Sequence, residues 1–113
     1  MAIKIAFATS DGVHVDEEFR RASRLALYEV GPAGPRLEET FAFDGDRGAR
    51  TDERLSAIDG AAIVYGVAFG PSSAARIAAR GIQPATAPVG TPISRLLLRY
   101  VPAGRGAPGV AGA

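Results

Sequence analysis

The chain has 113 residues, 47% hydrophobic and 22% charged, with a formal net charge of +1. That is the size and mix of one globular domain, and the near-zero charge gives no bulk electrostatic reason to expect nucleic acid or an anionic membrane as partner. Cysteine is absent, which excludes disulfides, thiolate nucleophiles and all-thiolate zinc or iron–sulfur sites.

Near the N-terminus, Ile3, Ile5 and Phe7 alternate with Lys4 and Ala6, and small residues follow at Ala8 and Thr9. This predicts a first strand leading into the middle of a sheet. It breaks at Ser10-Asp11-Gly12, where Asp and Ser bond local backbone and Gly accepts positive φ. His14, the single histidine of the chain, comes next, with Asp16, Glu17 and Glu18. Polar groups crowded just past the end of a buried strand mark a candidate site in an α/β protein. Phe19 to Ser23 reads as a short helical turn, with Arg20, Arg21 and Arg24 crowded around it.

In RLALYEV, Leu25, Leu27 and Glu29 fall on one side and Ala26, Tyr28 and Val30 on the other. Neither side is purely polar, so a well-buried second strand is expected, ending at Gly31-Pro32. Pro32-Ala33-Gly34-Pro35 makes a turn. RLEETFAF then alternates Leu37, Glu39, Phe41 and Phe43 against Glu38, Thr40 and Ala42, a third strand forming a hairpin with the second.

Asp44 to Gly48 is a charged, glycine-rich loop. Thr51 suits an N-cap, with Asp52 and Glu53 in the first turn of a helix whose apolar side is Leu55 and Ile58. Gly60 closes it. AAIVYGVAF is a continuous apolar run, expected to give a central parallel strand over Ala61 to Tyr65. Gly70-Pro71-Ser72-Ser73 opens a second helix, with Ala74, Ala75, Ile77 and Ala78 as its packing face and Gly81 as its stop. Ile82 to Ala87 lies beside two prolines, which predicts an edge strand. Gly90-Thr91-Pro92 opens a last helix that buries Ile93, Leu96, Leu97 and Tyr100.

The order β, β, β, α, β, α, β, α predicts an α/β domain over residues 1–101. Its sheet is mixed and parallel in its second half, with helices on both faces. Residues 102–113 are Pro, Gly and Ala with one Arg and one Val, too little apolar surface to offset ordering entropy, so a disordered tail is expected. No apolar run approaches about 18 residues, and a basic region followed by a long apolar stretch is missing at the start. A cytoplasmic protein is the expectation.

Three features of the expected fold converge on the carboxyl ends of the strands. An imidazole at His14 beside Asp11, Asp16, Glu17 and Glu18 suits a metal, or it simply faces water. Guanidinium groups at Arg20, Arg21 and Arg24 suit carboxylates and phosphates, or merely solvate the surface. The helix starts at Gly70–Ser73 and Gly90–Pro92 offer free N–H groups to an anion, or are ordinary caps. Catalytic machinery is thin: the chain has no G-x-S-x-G elbow, Walker loop or G-x-G-x-x-G. Asp11, Asp16 and Asp44 would serve a two-metal nuclease only in principle, because their spacing is not diagnostic.

The stretch IKIAFATSDGVHVDEEFRRASRLALYEV is similar to the opening of the NifX-like family of dinitrogenase iron–molybdenum cofactor-binding domains. AAIVYGVAFGPSSAARIAARGIQPATAPVGTPISRLL resembles that family's second half: a strand, a small-residue helix start, then G-T-P-I before the last helix. The likeness runs from Ile3 to about Val101. It implies a ribonuclease H-like three-layer α/β/α domain that is not a catalyst. Such a domain binds the iron–molybdenum cofactor or its iron–sulfur precursor and passes it among nitrogenase cofactor-assembly proteins. With the residue reading, it points to Ser10, Asp11, His14, Arg20, Arg24, Gly70, Ser72 and Ser73 as cofactor-binding, with His14 the metal ligand. Glu18 stands where many members carry histidine, and Gly66 where many carry cysteine. The second reading is therefore a diverged paralogue, an interaction module that binds no cluster.

Overall fold

The structure, a computed structural model, describes residues 2–43 and 51–101. The strands are β1 (Ile3–Thr9), β2 (His14–Val15), β3 (Arg24–Gly31), β4 (Gly34–Ala42), β5 (Ile63–Gly66), β6 (Gln83–Thr86) and β7 (Thr91–Pro92). The helices are α1 (Thr51–Ala57), α2 (Pro71–Ala79) and α3 (Ile93–Leu97), with 3₁₀ turns at Phe19–Arg21 and Leu98–Tyr100. The main sheet has the order β4-β3-β1-β5-β6. β1 pairs antiparallel with β3 and parallel with β5, and β5 pairs parallel with β6. The expected mixed sheet, parallel in its second half and edged by the proline-bearing β6, is therefore present. The expected loop at Asp44–Gly48 and tail at 102–113 lie outside the described residues.

Alternation along β1 divides the core in two. Ala6 and Ala8 face one side with Leu25, Leu27 and Val64, covered by Leu55 and Ile58 from the α1 segment and Ile77 from α2. Ile5 and Phe7 face the other side with Val30 and Tyr65, covered by Ile93, Leu96 and Leu97 of α3. Each of the buried Val, Leu, Ile and Phe side chains among these contributes roughly 1.5–3 kcal/mol. The layers are thus helices, sheet, helix. Phe7 fixes the α3 side by stacking on Tyr65 with centroids 5.5 Å apart and meeting Tyr28 edge-on at 5.7 Å.

Three expectations need correction. The alternation read through β4 does not run unbroken: Leu37 pairs with Tyr28 and Glu39 with Leu27, leaving Glu38 as an extra residue in a bulge. A bulge inverts the facing of everything beyond it. Phe41 and Phe43 therefore pack on the α1–α2 core while Leu37 lies on the other face, half exposed. α2 does not bury its alanine face. Ser73 and Ile77 go inward and Ala75 and Ala78 face solvent. The last helix starts three residues after Gly90, because Thr91–Pro92 pairs as β7 with His14–Val15.

Candidate functional site

β1 ends at the buried Thr9, whose hydroxyl organises the turn that follows. Thr9 Oγ1 accepts the N–H groups of Asp11 (3.3 Å) and Gly12 (2.9 Å) and donates to Asp11 Oδ1 (3.1 Å). Gly12 takes φ +79°, which lets the chain reverse here. Asp11 Oδ1 then accepts the N–H groups of Val13 (2.7 Å) and His14 (2.9 Å), and its Oδ2 lies 2.8 Å from His14 Nδ1. The imidazole bond first, and then the His14 and Val13 amides, hold the Asp11 carboxyl well below the usual carboxylate range. One residue earlier, Ser10 donates its N–H (2.8 Å) and its hydroxyl (2.5 Å) to Asp16. The loop is closed by two nested carboxylates, and its amides are satisfied internally rather than offered to an anion.

Past the loop the chain is stitched across the end of the sheet. Val13 O accepts from Ile93 N–H and Val15 O from Gly90 N–H, both at 2.8 Å. Glu17 O accepts from Val67 N–H (3.0 Å), and Phe19 N–H donates to Ala68 O (3.3 Å). Val15 is buried in the α3-side core and Phe19 in the α1–α2 core. Residues 15–19 therefore pass over the carboxyl end of β5 from one face of the sheet to the other. Gly66 lies under this strap: a Cβ there would sit 3.4 Å from the Glu17 carbonyl and 3.4 Å from the Phe69 ring.

The far side of the strap is fastened by a residue that sequence reading missed. Arg54 of α1 is fully buried, donates from Nε (3.2 Å) and Nη2 (2.7 Å) to Ala22 O, and lies 4.8 Å over the Phe43 ring. Glu17 accepts from the N–H (2.6 Å) and hydroxyl (3.0 Å) of Ser23. Nothing in the helical pattern of TDERLSA separates a buried arginine from a solvated one.

The eight candidates all lie toward the carboxyl-end rim, in two groups. Ser10, Asp11 and His14 form the closed loop. Arg24 stands opposite Thr9 in the β1–β3 ladder, beside that loop. Arg20 sits exposed in the 3₁₀ turn past the strap. Gly70, Ser72 and Ser73 open α2 on the α1–α2 face, where Gly70 is the N-cap without a side-chain bond and Ser73 is buried. The start of α3 offers less, since its first amide, Ile93 N–H, is taken by Val13 O. Among the described residues, the guanidinium groups of Arg20, Arg21 and Arg24 make no ion pair. Within the same limits no three of His, Asp and Glu gather as a metal group, so Asp16 and Glu17 act as braces. Asp44, the third carboxylate considered for two-metal chemistry, lies outside the described residues.

Fold and rim together define a three-layer α/β domain that presents an imidazole loop and unpaired arginines past the carboxyl end of its central strand. The solved structure of PH0822 has this fold, with a TM-score of 0.63 at 18% identity over 87% of this chain and 89% of that one. A sequence model of the dinitrogenase iron–molybdenum cofactor family matches residues 1–103. Protein NifX of Herbaspirillum seropedicae is 38% identical over 101 residues, covering 85% of this chain and 69% of the relative. Protein NifX of Rhodobacter capsulatus is 32% identical over 84% of this chain and 65% of the relative. For the Azotobacter vinelandii protein the figures are 31%, 84% and 63%. The chain belongs to the NifX-like dinitrogenase iron–molybdenum cofactor family, and it spans about two thirds of the length of these relatives.

Proposed function

We propose that this chain is a carrier, not a catalyst, which holds the iron–molybdenum cofactor or its iron–sulfur precursor and hands it on among nitrogenase cofactor-assembly proteins. Residues 1–101 are the binding domain in this reading. Family membership supports the choice of cargo. The observation that carries it is the His14 loop: the chain's one imidazole is half exposed and held by a fully braced turn at the rim.

A cluster whose metals already have most of their ligands needs few from the protein. One nitrogen supplies a single coordination position, and nearby cations offset the anionic charge. His14 is the metal ligand in this account, with Arg24 beside it and Arg20 across the strap. Ser10 and Asp11 hold the loop's shape. The start of α2 at Gly70 and Ser72, with Ser73 buried behind them, faces a cargo wide enough to span the rim.

The test is retention of iron. Anaerobically purified protein incubated with isolated cofactor is expected to elute brown from gel filtration, with iron and molybdenum in the protein fraction. His14→Ala is expected to retain at least about tenfold less, since even supporting groups of metal ligands carry that much. If wild type elutes colourless yet still captures nitrogenase assembly proteins, the chain is an interaction module and the carrier reading fails.

A further inference from the structure

We infer that Asp11 is a positioning residue: it fixes the tautomer and the direction of the His14 ring, so that Nε2 and only Nε2 meets the cargo. This rests on the carrier reading for the identity of the cargo, but not for the state of the ring. Asp11 Oδ2 lies 2.8 Å from Nδ1. A carboxylate only accepts hydrogen bonds, so the ring nitrogen facing it is the donor and carries the proton. The neutral imidazole then has its lone pair on Nε2, which makes no hydrogen bond among the described residues. The same carboxylate takes the N–H groups of Val13 and His14 itself on Oδ1. Asp11 thereby clamps backbone and ring together. Thr9 clamps Asp11 in turn. Oδ1 takes three donors and Oδ2 takes the ring, so the hydrogen bonds of Asp11 are spent on shaping the loop. A carboxylate behind a histidine is how proteins orient imidazole ligands and raise their basicity.

The single histidine makes the ring state directly readable. Long-range ¹H–¹⁵N spectra of the uniformly labelled, cargo-free full chain at alkaline pH are expected to show Nδ1 protonated and Nε2 bare. Asp11→Asn keeps an oxygen for the two backbone amides but turns an NH₂ donor towards Nδ1, so the proton is expected to move to Nε2. With isolated iron–molybdenum cofactor as probe, that variant is expected to retain about 10- to 100-fold less iron. In a His14→Ala background the same change should add nothing.

Three results overturn the inference: a wild-type ring protonated on Nε2, undiminished retention in Asp11→Asn, or a further loss in the His14→Ala background, which would make Asp11 a ligand. Wild-type protein that retains no iron but shows the Nδ1-protonated ring defeats the carrier reading and leaves the clamp standing. If the variant does not fold, the wild-type spectrum alone decides the ring's state.

Discussion

The hydroxyl of Tyr65 meets that of Tyr100 at 2.6 Å, joining β5 to the turn after α3. Burial first, and then the Tyr65 bond, push the Tyr100 hydroxyl from 10.0 up to about 12. A folded-state value raised above the unfolded one contributes stability that is intact below the unfolded value. It is lost as pH climbs through the folded one. Unfolding free energy from urea titrations is therefore expected to fall between pH 10 and about 12, and Tyr100→Phe should flatten that slope. An unchanged slope in the variant would show that another group titrates there. Asp11 has the opposite sign: its depressed carboxyl keeps the His14 loop closed as pH falls through the ordinary carboxylate range. Asp11-x-x-His14 was legible as a turn with a histidine after it. That one carboxylate binds two amides and the ring was not, because the sequence does not say how its two oxygens divide among nearby donors.

At the scale of elements, the strap from Val15 to Phe19 matters most. It replaces the carboxyl-end opening between β1 and β5 with a covered rim, and its place depends on what lies beneath. Gly66 is not in the left-handed region, so a side chain there is limited by space alone. A single Cβ would make ordinary contacts at 3.4 Å. Gly66→Ala is expected to change stability by less than about 1 kcal/mol, aided by a less flexible unfolded chain. Gly66→Val drives two more methyl groups toward the Glu17 carbonyl and Phe69, and is expected to cost about 1–3 kcal/mol. Amide exchange at Val67 and Phe19 should quicken in the valine variant only. Equal effects of the two substitutions would mean that the strap is not seated on position 66. The two-residue ribbon of β2 and β7 holds the other end of the strap. Such short pairings leave no periodic signal, because two residues cannot display an alternation.

Over the whole molecule, chemistry and ballast lie at opposite ends of the sheet. The rim carries the imidazole loop, while the far end carries the β3–β4 turn, the Glu29–Arg36 and Lys4–Glu38 pairs and a cavity of about 420 Å³ lined by Glu29 and Gly31 to Arg36. Surface pairs of this kind contribute little, so stability rests on the two apolar layers. Ile77 is the main apolar anchor of α2 and is fully buried. Ile77→Ala is expected to cost about 2–5 kcal/mol in urea unfolding while leaving the His14 ring state unchanged, since α2 and the loop pack on opposite faces. A shift of the imidazole resonances in that variant would show that the two layers are coupled.

The five strands of the main sheet, the helices and their order were open to sequence reading because burial on a sheet or a helix face leaves a period of its own in the chain. The lone histidine after the first strand was equally plain, as were the missing cysteines and the small-residue helix start. Tertiary structure decided the rest. It placed Glu38 in a bulge, sent Arg54 under Phe43, and carried residues 15–19 across the rim so that the two groups of candidate residues stand on either side of it. These are contacts between elements, set by which side chain fills which space when the layers close. Local pattern constrains the element a residue joins, not the partner it meets in another.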